Sequence, residues 1–333
     1  KSPSRGLGDV YKRQRLSLAP GFCPLSMLMS DWSRSGGADL RVSNDRHYYV
    51  KGGAEQLWDI TATPRLYGEA DGWLTHQIWG MGIAERDLDR DGLAEVFLSS
   101  MGDQRLQEWT GEGAEFKDVP FARGAAAHRP YTGGDGRPST GWHISFGDVQ
   151  NDGIDDVFIA KGNVQQMPGM AMEDPNNLLV QDEDGMFVET GLEAGLASLH
   201  RARGAAMVDF DGDGLLDIAV VNRVAPLEVY HNTRTPAGTW ISVDVRQPAP
   251  NAYAVGGRIE VMDDMGLQVR ELTVGGGHAG GISAPQHFGL GTAEGAVMRI
   301  IWPDGTTTQW MGVDADQRVR LIRDGESVSL KTY

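Results

Sequence analysis

Three stretches of this chain set oxygen-bearing side chains at alternate positions of a short loop. They are DLDRDGLAE from Asp87, DVQNDGIDD from Asp148 and DFDGDGLLD from Asp209, each 61 residues after the last. Positions 1, 3, 5 and 9 carry the oxygens, and position 6 is glycine. That is hard-cation chemistry: Ca²⁺ takes about six to eight oxygens at about 2.3–2.6 Å, and alternate residues of a tight loop supply them. The glycine accommodates a turn at positive φ. The first ligand set read from this spacing is Asp87, Asp89, Asp91 and Glu95, with the carbonyl of Leu93. The second is Asp148, Gln150, Asp152 and Asp156, with the carbonyl of Ile154. The third is Asp209, Asp211, Asp213 and Asp217, with the carbonyl of Leu215. A single copy reads equally well as a solvated Asp-Gly turn; three copies at equal spacing favour Ca²⁺ and a repeat architecture.

An EF-hand closes its loop with a bidentate Glu at position 12. Here position 12 is Leu98, Ile159 or Val220, inside the apolar runs VFLSS, VFIA and IAVV. Those runs read as buried strands rather than as an exiting helix. The copies are unequal. The third is the most acidic and should bind tightest; the second has Gln150 where the others have Asp. A decayed copy, DWSRSGGAD from Asp31 to Asp39, keeps its end carboxylates and Gly36 but has Ser33 and Ser35 between them, so a weak or empty site is expected.

These loops need strands to hold them. Small and apolar runs precede each cassette (GMGIAER, GWHISFG, RGAAMV), and strand-turn-strand patterns such as NLLVQDEDGMFVET follow. Each unit is thus several strands around one acidic loop, which is the pattern of a propeller blade. The bulk numbers agree: 45 glycines suit many turns, and no stretch of 18 apolar residues is present to span a membrane. A net charge of −16 argues against nucleic acid and anionic membranes as partners, and bound cations would offset it. Cys23 is the single cysteine, so metal rather than internal disulfides must staple the loops. Millimolar free Ca²⁺ points to a secreted, periplasmic or cell-surface setting. Residues 1–14, KSPSRGLGDVYKRQ, fit neither signal peptide nor repeat and are read as unstructured or spurious.

The pattern changes near Asn232. TRTPAGT reads as a linker, and alternating strands without cassettes follow, as in an antiparallel β-sandwich. The cassettes resemble VCBS/FG-GAP repeats, the blades of integrin-α-like β-propellers. The tail resembles the ASPIC/UnbV domain of the cartilage acidic protein family and its bacterial relatives, through AVGGRIEV, VRELTVGGGHAGG, HFGLG and IIWPDGTTTQW. His278, following three glycines, departs from the small hydroxyl residue of those relatives. The resemblance implies an all-β chain: propeller repeats over 15–235, then the ASPIC/UnbV domain over 236–333. Such propellers usually close with seven blades, and four are visible, so the propeller is expected to be incomplete at the N-terminus.

The family implies a secreted calcium-binding protein that meets an extracellular protein or glycan. The alternative is a secreted Ca²⁺-dependent enzyme acting on polysaccharide or another extracellular substrate. No HExxH or GxSxG motif supports the enzyme, and no catalytic residue is assigned. His143 and His278 read as packed or turn histidines. Trp73, Trp79, Trp109 and Trp142 lie in or near blade flanks, where packing is the commoner fate than sugar stacking. The Met-rich MPGMAMEDP, from Met167, is longer than a hairpin needs and is a candidate for a binding face.

Overall fold

Strands that are apolar at every position must bury both faces. The computed structural model shows how, over residues 17–45, 53–60, 63–102, 104–125, 135–235 and 237–333. The segment 1–14 lies outside these described residues.

Four antiparallel sheets follow one another, each with its strands in chain order. The first holds β1 (Pro24–Ser30), β2 (Asp39–Asn44), β3 (Gln56–Asp59) and β4 (Arg65–Leu66). The second holds β5 (Gly80–Arg86), β6 (Glu95–Ser100), β7 (Arg105–Trp109) and β8 (Phe116–Asp118). The third holds β9 (Gly141–Gly147), β10 (Asp156–Lys161), β11 (Asn177–Gln181) and β12 (Phe187–Glu189). The fourth has three strands, β13 (Ala202–Val208), β14 (Asp217–Asn222) and β15 (Glu228–Tyr230).

The first strands of successive sheets, β1, β5, β9 and β13, lie against one another, as the inner strands of propeller blades do. Each gap between sheets is filled by its own core. β6 turns Val96 and Leu98 toward the first sheet and Phe97 toward the third. β10 turns Val157 and Ile159 back toward the second sheet and Phe158 and Ala160 on to the fourth. This period-two division gives each apolar run two partners, and each side chain so buried contributes about 1.5–3 kcal/mol. β14 differs. Ile218 and Val220 are buried against the third sheet, while Val221 on the opposite face is 55% exposed.

The C-terminal region forms two four-stranded sheets. One is ordered β19 (Gln286–Gly291), β16 (Thr239–Arg246), β22 (Gln317–Asp324), β23 (Ser327–Thr332). The other is ordered β18 (Gly266–Glu271), β17 (Arg258–Asp263), β20 (Gly295–Ile301), β21 (Met311–Asp314). Ile241, Val243 and Leu321 from one sheet meet Ile259, Val261 and Ile300 from the other in a single core, which makes a sandwich. It is not wholly antiparallel: β16 and β22 pair in parallel. The intervening chain supplies the long crossover that a parallel pair requires.

The sandwich does not stand apart from the blades. Beyond β18 the chain runs along the inner strands, with Gly275 bridging Leu28 of β1 and Gly277 bridging Ile83 of β5. His278 then bonds through Nδ1 to the Met81 carbonyl at 2.7 Å, and the Ala279 N–H donates to the Ser26 hydroxyl at 2.9 Å. Only glycine fits this passage. Gly277 sits at φ +66, and a Cβ there would lie 2.1 Å from the His143 ring.

Candidate functional site

The three cassettes join β5 to β6, β9 to β10 and β13 to β14, and the decayed copy joins β1 to β2. All four adopt one conformation. Position 6 is left-handed in each: Gly36 at φ 87, Gly92 at 85, Gly153 at 90 and Gly214 at 90. Position 4 is left-handed too, including the non-glycine Arg34, Arg90 and Asn151. The position-1 carboxylate folds back onto the position-6 N–H, as in Gly92 N–H to Asp87 Oδ1 at 3.2 Å and Gly214 N–H to Asp209 Oδ2 at 3.0 Å. In the full cassettes, position 9 accepts from the N–H of position 2: Leu88 to Glu95, Val149 to Asp156, Phe210 to Asp217. The position-5 carboxylates of Asp91, Asp152 and Asp213 accept from the N–H groups of Leu93, Ile154 and Leu215. A set of acidic side chains is thereby held by backbone donors.

The loops differ in what remains. In the first, oxygens of Asp87, Asp89 and Glu95 lie within 4.8 Å of one another. Asp87 is 6% exposed, and its Oδ2 is buried without a hydrogen-bond partner. An orphaned acceptor beside two more carboxylates fits a hard cation.

In the second loop, protein donors already reach the carboxylates. Asp148 accepts from Gln150, Asp152 and Gly153 N–H, and Asp156 from Val149 and Gln181 N–H. The Gln150 side chain donates to Asp152 at 2.5 Å. Its carboxylates are not among the groups of three that come together among the described residues.

In the third, Asp209, Asp211 and Asp217 converge, and Asp211 and Asp213 also converge with His231. Basic groups sit among them. His231 Nδ1 is 3.1 Å from Asp217 and 3.5 Å from Asp211, and Arg318 is 2.7 Å from Asp209. The sequence pattern missed both, because His231 lies past β15 and Arg318 on β22. In the decayed copy, the Trp32 indole and the Tyr67 hydroxyl donate to Asp39 at 2.8 and 3.0 Å, and Arg258 lies 3.3 Å from Asp31.

Burial shapes the acid–base behaviour of these loops. It pushes Asp87 up to about 6, Glu95 to about 8 and Asp148 to about 8, and it raises Asp156 well above its ordinary value. A carboxylate that holds a proton here would have to release it to take a cation.

Position 4 links each loop to the next. Arg90 of the first loop donates to the Gly153 carbonyl of the second at 2.5 Å, and Asn151 of the second to the Gly214 carbonyl of the third at 2.9 Å. Arg34 lies over Gly92, where a Cβ would meet its guanidinium at 2.3 Å. The sandwich covers all four loops from above. Arg258 reaches Asp31, Asp263 pairs with Arg90 at 3.0 Å, and His287 Nε2 meets Asn151 Oδ1 at 2.7 Å. A Cβ at Gly289 would lie 1.8 Å from Asp148, and one at Gly214 would lie 1.9 Å from the Trp240 indole. The tail motifs noted in the sequence are therefore docking surfaces: HFGLG seats on the second cassette, and GGGHAGG threads between inner strands.

His143 is spent in the same way. It is buried, its Nδ1 accepts the His278 N–H at 3.1 Å, and burial lowers its pKa to about 4. His278 packs edge-on against Trp142, and Arg203 stacks over that indole from 3.9 Å. The Met-rich segment is anchored by Asn163, whose amide donates to the carbonyls of Met167 and Ala171. Met167 and Met170 pack against Met81, Met101 and Trp142.

Known proteins carry the same two parts. Residues 87–159 match the FG-GAP-like repeat family and residues 247–328 match ASPIC and UnbV. The chain is thus an all-β protein that joins FG-GAP-like repeats to a C-terminal ASPIC and UnbV domain. It is homologous to cartilage acidic protein 1, with 25% identity to the mouse protein over 233 residues and 27% to that of Xenopus tropicalis over 235. Each alignment covers 68% of this chain and 34% of the relative, so the chain spans about a third of those proteins' length. Solved structures are only loosely similar. A BBS1N–ARL6DN complex soaked with lead aligns with TM-score 0.38 and 8% identity, over 94% of this chain and 77% of that one. An Agrocybe aegerita lectin that recognises non-reducing terminal N-acetylglucosamine aligns with TM-score 0.31 and 16% identity, over 63% of this chain and 53% of that one. Likeness at that level carries no functional argument.

Proposed function

We propose that this chain is a calcium-loaded extracellular binding protein whose blades and sandwich are clamped together at the cassettes. The observation that carries the reading is the orphaned, buried Oδ2 of Asp87, on a side chain that offers an oxygen within 4.8 Å of Asp89 and Glu95. A buried carboxylate oxygen without a donor costs free energy unless a cation takes it. Asp87, Asp89, Asp91 and Glu95 would hold one Ca²⁺ with the Leu93 carbonyl. Asp209, Asp211, Asp213 and Asp217 would hold another with the Leu215 carbonyl, His231 standing at the rim.

The cation would supply structure rather than chemistry. It fixes loops that the sandwich rests on, and so holds the surface that an extracellular protein or glycan would meet. Likeness to cartilage acidic protein 1 supports a setting outside the cell, and among the described residues no helix is long and apolar enough to cross a membrane. The 15–235 and 236–333 division belongs to the same proposal.

Calorimetric titration of the chelated chain tests it. Ca²⁺ binding should raise the melting temperature, reflecting a stabilisation of about 2.7 kcal/mol per site at a hundredfold excess over Kd. Mg²⁺ should substitute poorly, since it keeps its waters and a compact octahedron. No heat at millimolar Ca²⁺ and no change in melting would reduce the cassettes to Asp-Gly turns.

A further inference from the structure

At the end of the fourth sheet remote from its cassette, positive charge gathers. Arg201 immediately precedes β13, Arg203 lies within it, and Arg223 immediately follows β14. The Arg223 N–H donates to the Arg201 carbonyl at 2.7 Å, so these two stand across from each other on paired chains. β13 shifts register between Ala202 and Gly204, which leaves Arg203 as the bulged residue. A bulge re-aims a side chain. All three guanidinium groups converge on one turn, residues 162–165. Arg203 donates to the carbonyls of Asn163 and Val164 at 3.0 and 2.9 Å, and Arg201 to that of Gln165 at 2.9 Å. Arg223 donates to the Gln165 side chain at 3.2 Å. The turn is itself fixed. Buried Asn163 accepts from the N–H groups of Gln165 and Met167 at 3.1 and 2.9 Å. Gly162 lets it approach β13, since a Cβ there would lie 2.6 Å from the Arg201 Cα.

Neutral carbonyls orient these guanidinium groups without cancelling their charge. Among the described residues, no carboxylate forms an ion pair with any of the three, although the chain carries a net charge of −16. Burial, then the charges of Arg223 and Arg201, push Arg203 down to about 10. Like charges placed across a strand pair destabilise it. A chain rich in carboxylates could have relieved that repulsion with one of its own, and here it does not. The three side chains are half-buried, so each keeps an edge toward solvent. Arg201 gives only one of its N–H groups to the turn, which leaves most of its fork open. The cluster is therefore pre-oriented, positive and accessible.

We infer that Arg201, Arg203 and Arg223 form a site for a tetrahedral oxyanion of the sulfate type. Guanidinium forks match such groups in shape and charge. A tetrahedral group can present an acceptor oxygen to each arginine, and its charge offsets their mutual repulsion. The anion could be free in solution or esterified to a sugar; the second source rests on the proposed extracellular binding role, whereas the site itself rests on the arginines. The strands separate it from the metal loops. From Arg203 to Asp209 along β13, or from Arg223 to Asp217 along β14, is about 20 Å at about 3.3 Å per residue. None of the three arginines belongs to a cassette ligand set, so calcium binding and anion binding can fail separately.

Calorimetric titration of the Ca²⁺-loaded full chain provides the test, at constant ionic strength held with chloride. The probes are inorganic sulfate, a sulfated disaccharide and its desulfated counterpart. At least one sulfate-bearing probe should bind with a Kd of about 1 mM or tighter, and the desulfated sugar should not. Arg201→Gln and Arg223→Gln keep a hydrogen-bond donor and lose the charge. Each should weaken binding about tenfold, leave the Ca²⁺ melting shift unchanged, and melt no lower than the parent chain when no oxyanion is present. Tighter binding of the sulfated disaccharide than of inorganic sulfate would support the site with a sugar ester as its source. Binding of inorganic sulfate as tightly or more so would support it with the free ion as its source. Three results would overturn the inference: no binding of either sulfate-bearing probe; equal binding of the desulfated sugar, so that the anion is not what is recognised; or binding undiminished in both variants, so that the arginines only brace the turn. Loss of the calcium shift with anion binding intact would instead overturn the metal reading and leave this one standing.

Discussion

At the scale of single residues, what separates the cassettes is the supply of protein donors. Asp148 and Asp156 in the second loop are answered by five backbone N–H groups, and Gln150 spends its amide on Asp152. Asp87 keeps an oxygen free. Charge count alone favours the third loop, but Arg318 and His231 occupy part of its coordination space. Asp89→Ala is therefore expected to remove a larger share of the Ca²⁺-dependent melting shift than Asp152→Ala. Equal losses would mean that donor supply does not govern affinity.

The raised pKa values give a second prediction. Asp87, Glu95 and Asp148 stand at about 6, 8 and 8 in the fold, against ordinary values of 3.8, 4.5 and 3.8. Between those limits the folded chain holds protons that the unfolded chain has released, so its stability falls as pH rises. In chelator, the melting temperature should drop from about pH 5 to about pH 8. Saturating Ca²⁺ should flatten that slope, because the cation takes the place of the protons. A chelated chain that grows more stable with pH over this range would show that these carboxylates are ionised throughout.

At the scale of elements, the glycine-rich segment after β18 is what joins the two halves. Its backbone pairs with β1 and β5, and Gly277 leaves room for the His143 ring. A larger residue there both strains a left-handed backbone and overpacks the histidine. Gly277→Val should destabilise the chain by about 2–4 kcal/mol, summing overpacking and backbone strain. Gly305→Ala is the control, since it sits in a turn with open space around its missing Cβ. If both variants melt alike, the segment is not packed as described.

At the scale of the molecule, the contacts across the halves are numerous and specific. Arg270–Asp155, Arg318–Asp209 and Arg90–Asp263 span them, in addition to the threaded glycines. The linker nevertheless exposes Arg234. Limited trypsin treatment is expected to cut there and release, on denaturing gels, a C-terminal fragment of about a hundred residues, a common domain size. Under native conditions with Ca²⁺ the two pieces should co-elute, and chelation should help them part. Separation of the pieces in saturating Ca²⁺ would show that the interface is too weak to act as a clamp.

The sequence by itself determined the all-β class, the repeated acidic loop and the change of pattern near Asn232. Each of these is a local property: period, spacing and turn chemistry are written along the chain and need no distant partner. The parallel pairing of β16 with β22, the seating of HFGLG on the second cassette and the path of GGGHAGG were decided only in three dimensions. So were the basic groups at the third loop. Arg318 follows Asp209 by more than a hundred residues, and no spacing rule connects them. The ligand pattern is encoded in sequence neighbours, but which carboxylate keeps a free lone pair depends on every donor the fold brings near. That is set by packing between elements far apart in the chain, where glycine matters for the side chain it lacks.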